Sequence, residues 1–227
     1  MEKLQWEKLL CENRIRQSHT KTESEMKGMK LVTRNEFEAD YDRIVGSSSV
    51  RRLQDKAQVF PLQKNDVVRT RLTHSIEVSA LARSLAKTVG RELQRKGIFK
   101  NGEDTEKLMG LLQTAGLIHD LGNPPFGHYG EAVIKEWYGE KILQGKSEND
   151  IDQKEQDFLH FDGNVQNLRI VTKLQTMNDA YGVNFTFGTL ATIIKYPYSS
   201  VNQNNKKEKW LFRGNGGLKT ATTPVFI

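Results

Sequence analysis

Two consecutive prolines, Pro124 and Pro125, constrain the folding of this chain more than any other feature. Proline lacks a backbone N–H and its ring collides with the preceding helical turn, so no helix continues through the pair. The pattern predicts one helix, capped by Asp104 or Thr105, that ends before the prolines, and a second that begins near Gly127. The apolar residues that carry these two helices are Leu108, Leu111, Leu112, Ala115 and Ile118 before the pair, and Val133, Ile134 and Trp137 after it.

Helical periodicity recurs in other parts of the chain. Residues 72–89 should form an amphipathic helix that continues toward Gly97. Shorter helices are predicted over residues 4–14, from Phe37 to Gly46, and over residues 164–175 and 189–196, with a loop over 144–157 and a short strand pair around 183–187. The fold class is therefore all-α, with little or no β structure. The long helix is expected to bury Leu72, Ile76, Ala80, Leu85 and Val89, and to turn Glu77, Arg83 and Lys87 toward solvent.

Composition narrows the class of protein. The 227 residues carry a net charge of +6, with an isoelectric point near 9.3 and a mean hydropathy of −0.62. A basic surface favours anionic partners, including nucleotides and single-stranded DNA, although surplus lysines alone give the same charge. No run of about 18 uncharged apolar residues is present, so we expect no membrane span. Cys11 is the single cysteine, which argues against a disulfide framework and favours a reducing cytoplasm.

Three side chains from two predicted helices form a candidate metal site. His74 lies in the first turn of one helix, while His119 and Asp120 lie at the end of the next. Two imidazole nitrogens and a carboxylate oxygen suit Mn²⁺, Fe²⁺, Co²⁺, Zn²⁺ or, more weakly, Mg²⁺. A single histidine or aspartate on a helix usually has a structural role, and a bare His-Asp pair arises by chance. The surrounding strings favour the metal site over that structural alternative.

Those strings resemble the HD-domain deoxyguanosinetriphosphate triphosphohydrolases. Residues 69–78, RTRLTHSIEV, are similar to the segment of the family that holds its first histidine. Residues 115–128, AGLIHDLGNPPFGH, are similar to the central motif, and residues 51–61, RRLQDKAQVFP, to the segment before it. Residues 161–169, FDGNVQNLR, resemble a later Phe-Glu-Gly-Asn motif, with Asp162 in place of the usual glutamate. The resemblance therefore implies an HD-domain helical bundle.

The resemblance also implies a reaction, the hydrolysis of a deoxynucleoside triphosphate to the deoxynucleoside and inorganic triphosphate. His74, His119 and Asp120 would bind the divalent cation, and His128 with Glu131 would form the dyad that activates water and transfers the proton. A simpler interpretation is that the carboxylate of Glu131 only stabilises the N-terminus of its helix through the helix dipole. Substrate contacts are implied for Arg71, to the triphosphate, and for Gln58, to the sugar 3′-hydroxyl, although Gln58 also fits an ordinary loop position. Lys56 and Arg52 would line the pocket or pair with nearby carboxylates, while Asn123 is given no ligand role.

The chain departs from the family pattern toward its C-terminus. The family completes its metal site with an aspartate in an Ala-Asp-Asp-Ile-Ala-Tyr type of segment, and no such segment occurs here. We therefore expect an N-terminal helix and connection over residues 1–30, and an HD domain over residues 31–227 that is truncated. The fourth metal ligand would lie outside this chain, and the 227-residue chain alone would be inactive.

Other functions fit part of the same evidence. Another HD-type nucleotide phosphohydrolase would carry a similar cluster, and a noncatalytic nucleotide-binding subunit would account for an incomplete one. A helical protein that binds single-stranded DNA would account for the charge. Family resemblance also implies homo-oligomers. Product analysis separates these hypotheses, because only the favoured reaction yields unbroken triphosphate.

Overall fold

A computed structural model describes residues 5–16, 34–58, 60, 65, 67–147, 150–176 and 181–195. Its helices, in chain order, are α1 (Trp6–Leu9), α2 (Glu36–Val45), α3 (Ser48–Arg51), α4 (Arg71–Arg95), α5 (Gly102–Ile118), α6 (Gly127–Ile142), α7 (Gln153–Leu159), α8 (Gly163–Arg169) and α9 (Phe187–Ile193). A 3-10 turn, Arg52–Asp55, follows α3, and a π-helical turn, Ile170–Leu174, follows α8.

The described residues contain no β-strand, which confirms the predicted all-α class. Two isolated antiparallel bridges are present, Arg14 with Thr186 and Ala57 with Thr70. The strand pair expected around residues 183–187 is therefore wrong. Val183 and Phe185 are buried in the core instead, and Asn184 has a φ of 55°, which turns the chain out of an extended conformation. Within the described part of the chain, no helix has the length and apolarity needed to cross a membrane.

Polar caps place the helix ends differently from several predictions. Asn101, rather than Asp104 or Thr105, caps α5, because its side chain accepts the N–H of Asp104 at 3.4 Å. The predicted loop at residues 144–157 is partly helical, because Asp152 and Glu155 form a reciprocal capping box at the start of α7. Local propensity and capping chemistry therefore decide these boundaries together.

The first helix is shorter than predicted, and Arg14, which was expected at its end, instead forms ion pairs with residues of α2. The helix ends at Leu9 rather than near residue 14. The Arg14 guanidinium is buried and donates to the carboxylate of Asp40 at 2.5 Å. It also donates to the carboxylate of Glu36 at 2.7 Å. A buried charge needs such partners, and extending α1 as a helix would not deliver the guanidinium to them.

Small residues join the two longest helices. The buried residues of α4 include Ser75, Ser79 and Gly90. A Cβ on Gly116 of α5 would lie 2.8 Å from the Cα of Ser79, so the two backbones touch at this point. The predicted apolar stripe is largely on the outside: Ile76, Leu85 and Val89 are 52%, 65% and 47% exposed.

The main apolar core lies directly behind the central motif. Leu117, Ile118 and Leu121 flank the His119-Asp120 pair and are almost fully buried. They pack in one cluster with residues of α2, of α9 and of the segments between; its other buried members are Ile44, Val50, Leu53, Val171, Val183, Phe185 and Ile193. The backbone that carries His119 and Asp120 is therefore held in place by the core rather than by a mobile loop.

Candidate metal centre

The structure brings His74, His119 and Asp120 together. One potential ligand atom from each side chain lies within 4.8 Å of the other two. The two imidazole rings meet edge to face, with centroids 5.3 Å apart. His74 is on the first turn of α4 and the other two residues follow the last turn of α5, so the close packing of these helices sets the spacing. The donor set of two nitrogens and one carboxylate fits a divalent transition metal.

A backbone contact orients His119. Its Nδ1 lies 2.8 Å from the carbonyl oxygen of Gly116. A carbonyl only accepts hydrogen bonds, so Nδ1 carries the proton and the lone pair is on Nε2. Nε2 lies 3.6 Å from Oδ1 of Asp120, inside the cluster. A fixed tautomer of this kind is the usual outer support of a metal-binding histidine.

Asp120 is held at both oxygens. Oδ2 accepts from Nη1 of Arg71 at 2.7 Å, and Oδ1 accepts from Nδ2 of Asn123 at 2.7 Å. Each carboxylate oxygen has a second lone pair, so both can still face a cation. The Nε of Arg71 is buried and has no hydrogen-bond partner within the described part of the chain. Arg71 therefore has donor capacity beyond its bond to Asp120, as an anion-binding residue requires.

Lys56 supports the turn that carries the motif. Its ammonium group donates to the backbone carbonyl of Asn123 at 2.8 Å. Burial lowers the pKa of Lys56, the positive charge of Arg71 lowers it further, and Asp120 acts in the opposite direction. Two cations, Lys56 and Arg71, thus lie beside one carboxylate. An anion such as a phosphate group would be attracted to this place.

His128 and Glu131 form a hydrogen-bonded pair at the start of α6. Nδ1 of His128 lies 2.9 Å from Oε2 of Glu131. The histidine side chain is 88% exposed and the glutamate side chain is 8% exposed. Because an ionised carboxylate accepts only, Nδ1 donates and Nε2 points away with a lone pair. The second oxygen of Glu131 accepts the backbone N–H of Gly163 at 2.9 Å.

Gly163 links the FDGN string to the central motif. A Cβ at this position would lie 2.8 Å from Oε1 of Glu131 and would also overlap the side chain of Asn123. One turn later on α8, Asn167 donates from Nδ2 to the carbonyl of Ile118 at 2.8 Å. The string therefore braces the end of α5 and the carboxylate of the dyad. Asp162 accepts the N–H of Asn164 at 2.8 Å as the cap of α8, a task to which its side chain is suited.

Gln58 lies next to the start of α4. The bridge between Ala57 and Thr70 fixes this segment beside the helix, and the N–H of Arg71 donates to the carbonyl of Lys56 at 2.9 Å. The Oε1 of Gln58 is buried and has no hydrogen-bond partner among the residues that the structure describes. A hydroxyl donor from a ligand would satisfy it. Arg69, two residues before Arg71, points outward and pairs with Glu77.

Sequence reasoning missed the supporting residues of the site. Asn123 was given no ligand role, yet its side chain holds Asp120 and its carbonyl holds Lys56. Asn167 and Gly163 also brace the site from outside the central motif. The FDGN string was the available signal for both, but their contacts depend on how α8 packs. His19 lies outside the described residues, and exposed His160 is not part of the cluster.

Comparisons with known proteins agree with the resemblance in the motifs. An HD domain family model matches residues 71–164. A deoxyguanosinetriphosphate triphosphohydrolase-like protein of Listeria monocytogenes is 46% identical over 214 residues, which cover 91% of this chain and 45% of that protein. A protein of the same description from Pseudomonas aeruginosa is 38% identical, over 87% of this chain and 42% of its own length. The deoxyguanosinetriphosphate triphosphohydrolase of Cronobacter sakazakii is 36% identical, over 70% and 36%. The chain spans less than half the length of these relatives.

Proposed function

We propose that this chain belongs to a metal-dependent phosphohydrolase of the HD-domain type, because an HD domain family model matches residues 71–164 and the chain is similar to deoxyguanosinetriphosphate triphosphohydrolase-like proteins. Its substrates would be deoxynucleoside triphosphates, with dGTP as the first candidate. The products would be the deoxynucleoside and inorganic triphosphate. The observation that carries the proposal is the convergence of His74, His119 and Asp120 within 4.8 Å of one another.

His74, His119 and Asp120 would hold the divalent cation, which is Mn²⁺, Fe²⁺, Co²⁺, Zn²⁺ or Mg²⁺ by the chemistry of the donors. When bound, such a cation withdraws charge from phosphoryl oxygens and orients the phosphate that is attacked. The bond from His119 to the carbonyl of Gly116 keeps its Nε2 available for the cation. The bonds from Arg71 and Asn123 to Asp120 hold the carboxylate in place.

Arg71 and Lys56 would bind the triphosphate. Arg71 is buried beside the cluster and uses Nη1 for Asp120, while its Nε has no partner. Its Nη2 lies 2.7 Å from where a Cβ of Gly127 would be, so the absence of a side chain at Gly127 leaves room for the guanidinium. Bidentate guanidinium contacts suit phosphate oxygens. Gln58, with its unpaired buried oxygen, would accept the sugar 3′-hydroxyl.

His128 and Glu131 would handle the proton. Water adds to the α-phosphorus, the bond from that phosphorus to the 5′-oxygen breaks, and the departing 5′-oxygen takes up a proton. Glu131 fixes the tautomer of His128 through Nδ1, so Nε2 is the atom that exchanges the proton. The ring is 88% exposed, so a substrate could reach Nε2 from solvent. Gly163 keeps the supporting carboxylate in position.

The test is product analysis with dGTP and each divalent metal in turn. We would assay the 227-residue chain alone, and the same chain extended by the part of the Listeria relative that lies beyond the match. We expect unbroken triphosphate from the extended protein, none from its His119→Ala variant, and little from the 227-residue chain, because three donors hold a metal weakly. Orthophosphate or diphosphate as the product would instead favour another HD phosphohydrolase. Nucleotide binding without turnover in the extended protein would favour a noncatalytic subunit.

A further inference from the structure

A polar cavity lies well away from the metal cluster. It has a volume of about 870 Å³ and is bordered by residues of α4, by the first turns of α5, and by Arg34 and Glu38 at the start of α2. Its central residue on α4, Lys87, is 13 positions beyond His74, which at the helical rise corresponds to about 20 Å. The cavity is within the size range of small-ligand sites, which is roughly 300–1,000 Å³.

Positive charge dominates the walls of this cavity. Arg83, Lys87 and Arg91 are spaced four residues apart on α4, so they share one face of the helix. Arg34 faces them from outside that helix, and two carboxylates, those of Glu38 and Glu106, leave two cations in excess.

Two of these cations have no partner in the described part of the chain. Arg83 donates to the neutral amide of Gln113, and Arg34 pairs with Asp42. Lys87 and Arg91, in contrast, make no hydrogen bond or ion pair with any described residue. Their charges are therefore available to a ligand, because neither Glu38 nor Glu106 forms an ion pair with them.

The first turn of α5 adds neutral donors to the cavity. Gly102 lines it at the N-terminus of this 17-residue helix, where backbone N–H groups and the helix dipole favour an anion. Thr105, also part of the lining, is 7% exposed, and its hydroxyl forms no hydrogen bond with any described residue. A buried hydroxyl is normally paired, so a ligand oxygen at this place would satisfy it.

From these contacts we propose that the cavity binds a polyphosphate group, either as inorganic polyphosphate or as the phosphate chain of a nucleotide. Lys87 and Arg91 supply the charge, Arg83 lies beside them on the same helix face, and the N-terminus of α5 supplies hydrogen bonds to the terminal oxygens. The site is separate from the metal cluster and does not depend on the function proposed for that cluster.

Calorimetric titration with tripolyphosphate tests the site. The 227-residue chain is used in the presence of a chelator, which removes any metal-mediated binding at His74, His119 and Asp120. Salt is kept at about 0.15 M, where screening acts beyond about 8 Å and weakens diffuse attraction. A nucleoside triphosphate and the matching nucleoside are titrated in parallel. If tripolyphosphate and the nucleoside triphosphate bind with equal affinity, the ligand is free polyphosphate. If the nucleoside triphosphate binds more tightly than tripolyphosphate and the nucleoside does not bind, the ligand is a nucleotide.

Matched variants separate a built site from general attraction. K87Q/R91Q should weaken tripolyphosphate binding about tenfold or more, since two charge-assisted contacts are lost. K141Q/K154Q removes the same charge from two exposed positions outside the cavity and should bind like the unchanged protein. The proposal is wrong if tripolyphosphate does not bind, or if both variants weaken binding equally. It is also wrong if a single-stranded oligonucleotide binds through Lys87 and Arg91 more tightly than any small probe, because the surface is then a nucleic-acid site.

Discussion

Arg71 donates from Nη1 to Oδ2 of Asp120 at 2.7 Å, and both side chains are largely buried, at 6% and 12% exposure. The contact joins the first residue of α4 to the residue that follows His119 at the end of α5. It therefore couples the packing of the two longest helices to the geometry of the candidate metal centre. Removing either partner leaves a buried charge without compensation, which is costly.

A double-mutant cycle on this pair should show strong coupling. Arg71→Met should lower the free energy of unfolding by about 3 kcal/mol, because the Asp120 charge stays buried. Combining it with Asp120→Asn should cost less than the sum of the single changes, with a coupling of about 1–3 kcal/mol by urea denaturation. Arg69, which lies just before α4, and Glu77 on that helix are the matched control. Their side chains are 62% and 48% exposed, and their coupling should be within about 1 kcal/mol.

Metal binding should depend on both histidines of the cluster. Co²⁺ or Mn²⁺ should raise the thermal midpoint of the unchanged chain, since a ligand at about 100 times its Kd adds about 2.7 kcal/mol of stability. His74→Ala and His119→Ala should abolish this rise. His160→Ala, at an exposed position outside the cluster, should preserve it. If the metal raises the thermal midpoint equally in all four proteins, the cluster is not the metal-binding site.

Gly163→Ala should destabilise the protein and disturb the dyad. The added Cβ would lie 2.8 Å from Oε1 of Glu131 and would overlap Oδ1 of Asn123, so these two side chains must move out of their hydrogen bonds or the backbone must shift. We expect a loss of about 2–3 kcal/mol in the free energy of unfolding, typical of overpacking. Gly46→Ala is the control, because a Cβ there meets nothing within 4 Å and the φ is −88°. That variant should be neutral or gain up to about 1 kcal/mol. Equal losses in the two variants would contradict the close packing of α8 on the motif.

The stability contribution of Lys56 should depend on alkaline pH. Burial lowers the pKa of Lys56 in the folded state below its ordinary value of 10.5. Between the lowered pKa and 10.5 the unfolded chain binds more protons than the folded chain, so stability rises with pH in that window. The unfolding free energy of the unchanged protein, relative to Lys56→Gln, should therefore increase as pH approaches 10.5. Lys141→Gln, at an exposed lysine, should show no such trend. A difference between the unchanged protein and Lys56→Gln that stays constant or falls would count against the buried charge.

Glu131→Gln should impair turnover in the extended protein while metal binding is retained. The amide oxygen can still accept from Gly163, but its NH₂ group then faces Nδ1 of His128 and forces the proton onto Nε2. That is the wrong tautomer for proton uptake at Nε2, and we expect a fall in kcat of about 10²-fold or more. Glu136→Gln, an exposed glutamate on the same helix, is the control. Equal rates for Glu131→Gln and the unchanged protein would exclude a proton-transfer role for the dyad.

The sequence alone was sufficient for several features whose determining contacts are local, although it misplaced the cap of α5. The prolines at 124 and 125 separate α5 from α6, as predicted. The strings around His74 and His119 carry the resemblance to HD-domain proteins, and the comparisons agree with that resemblance. These features depend on backbone chemistry within a few residues, so they can be read without knowing which surfaces meet.

Only the tertiary structure decided which helix faces are buried and what supports the site. The pattern on α4 assigned Ile76, Leu85 and Val89 to the core, but the helix instead buries Ser79 and Gly90, because close contact with α5 requires small side chains. The hydrogen bonds from Arg71 to Asp120 and from Gly163 to Glu131 could not be predicted either, since they depend on how the helices pack. The periodicity of apolar residues indicates that a helix has two different faces. The volume and polarity of the neighbouring helix determine which face is buried.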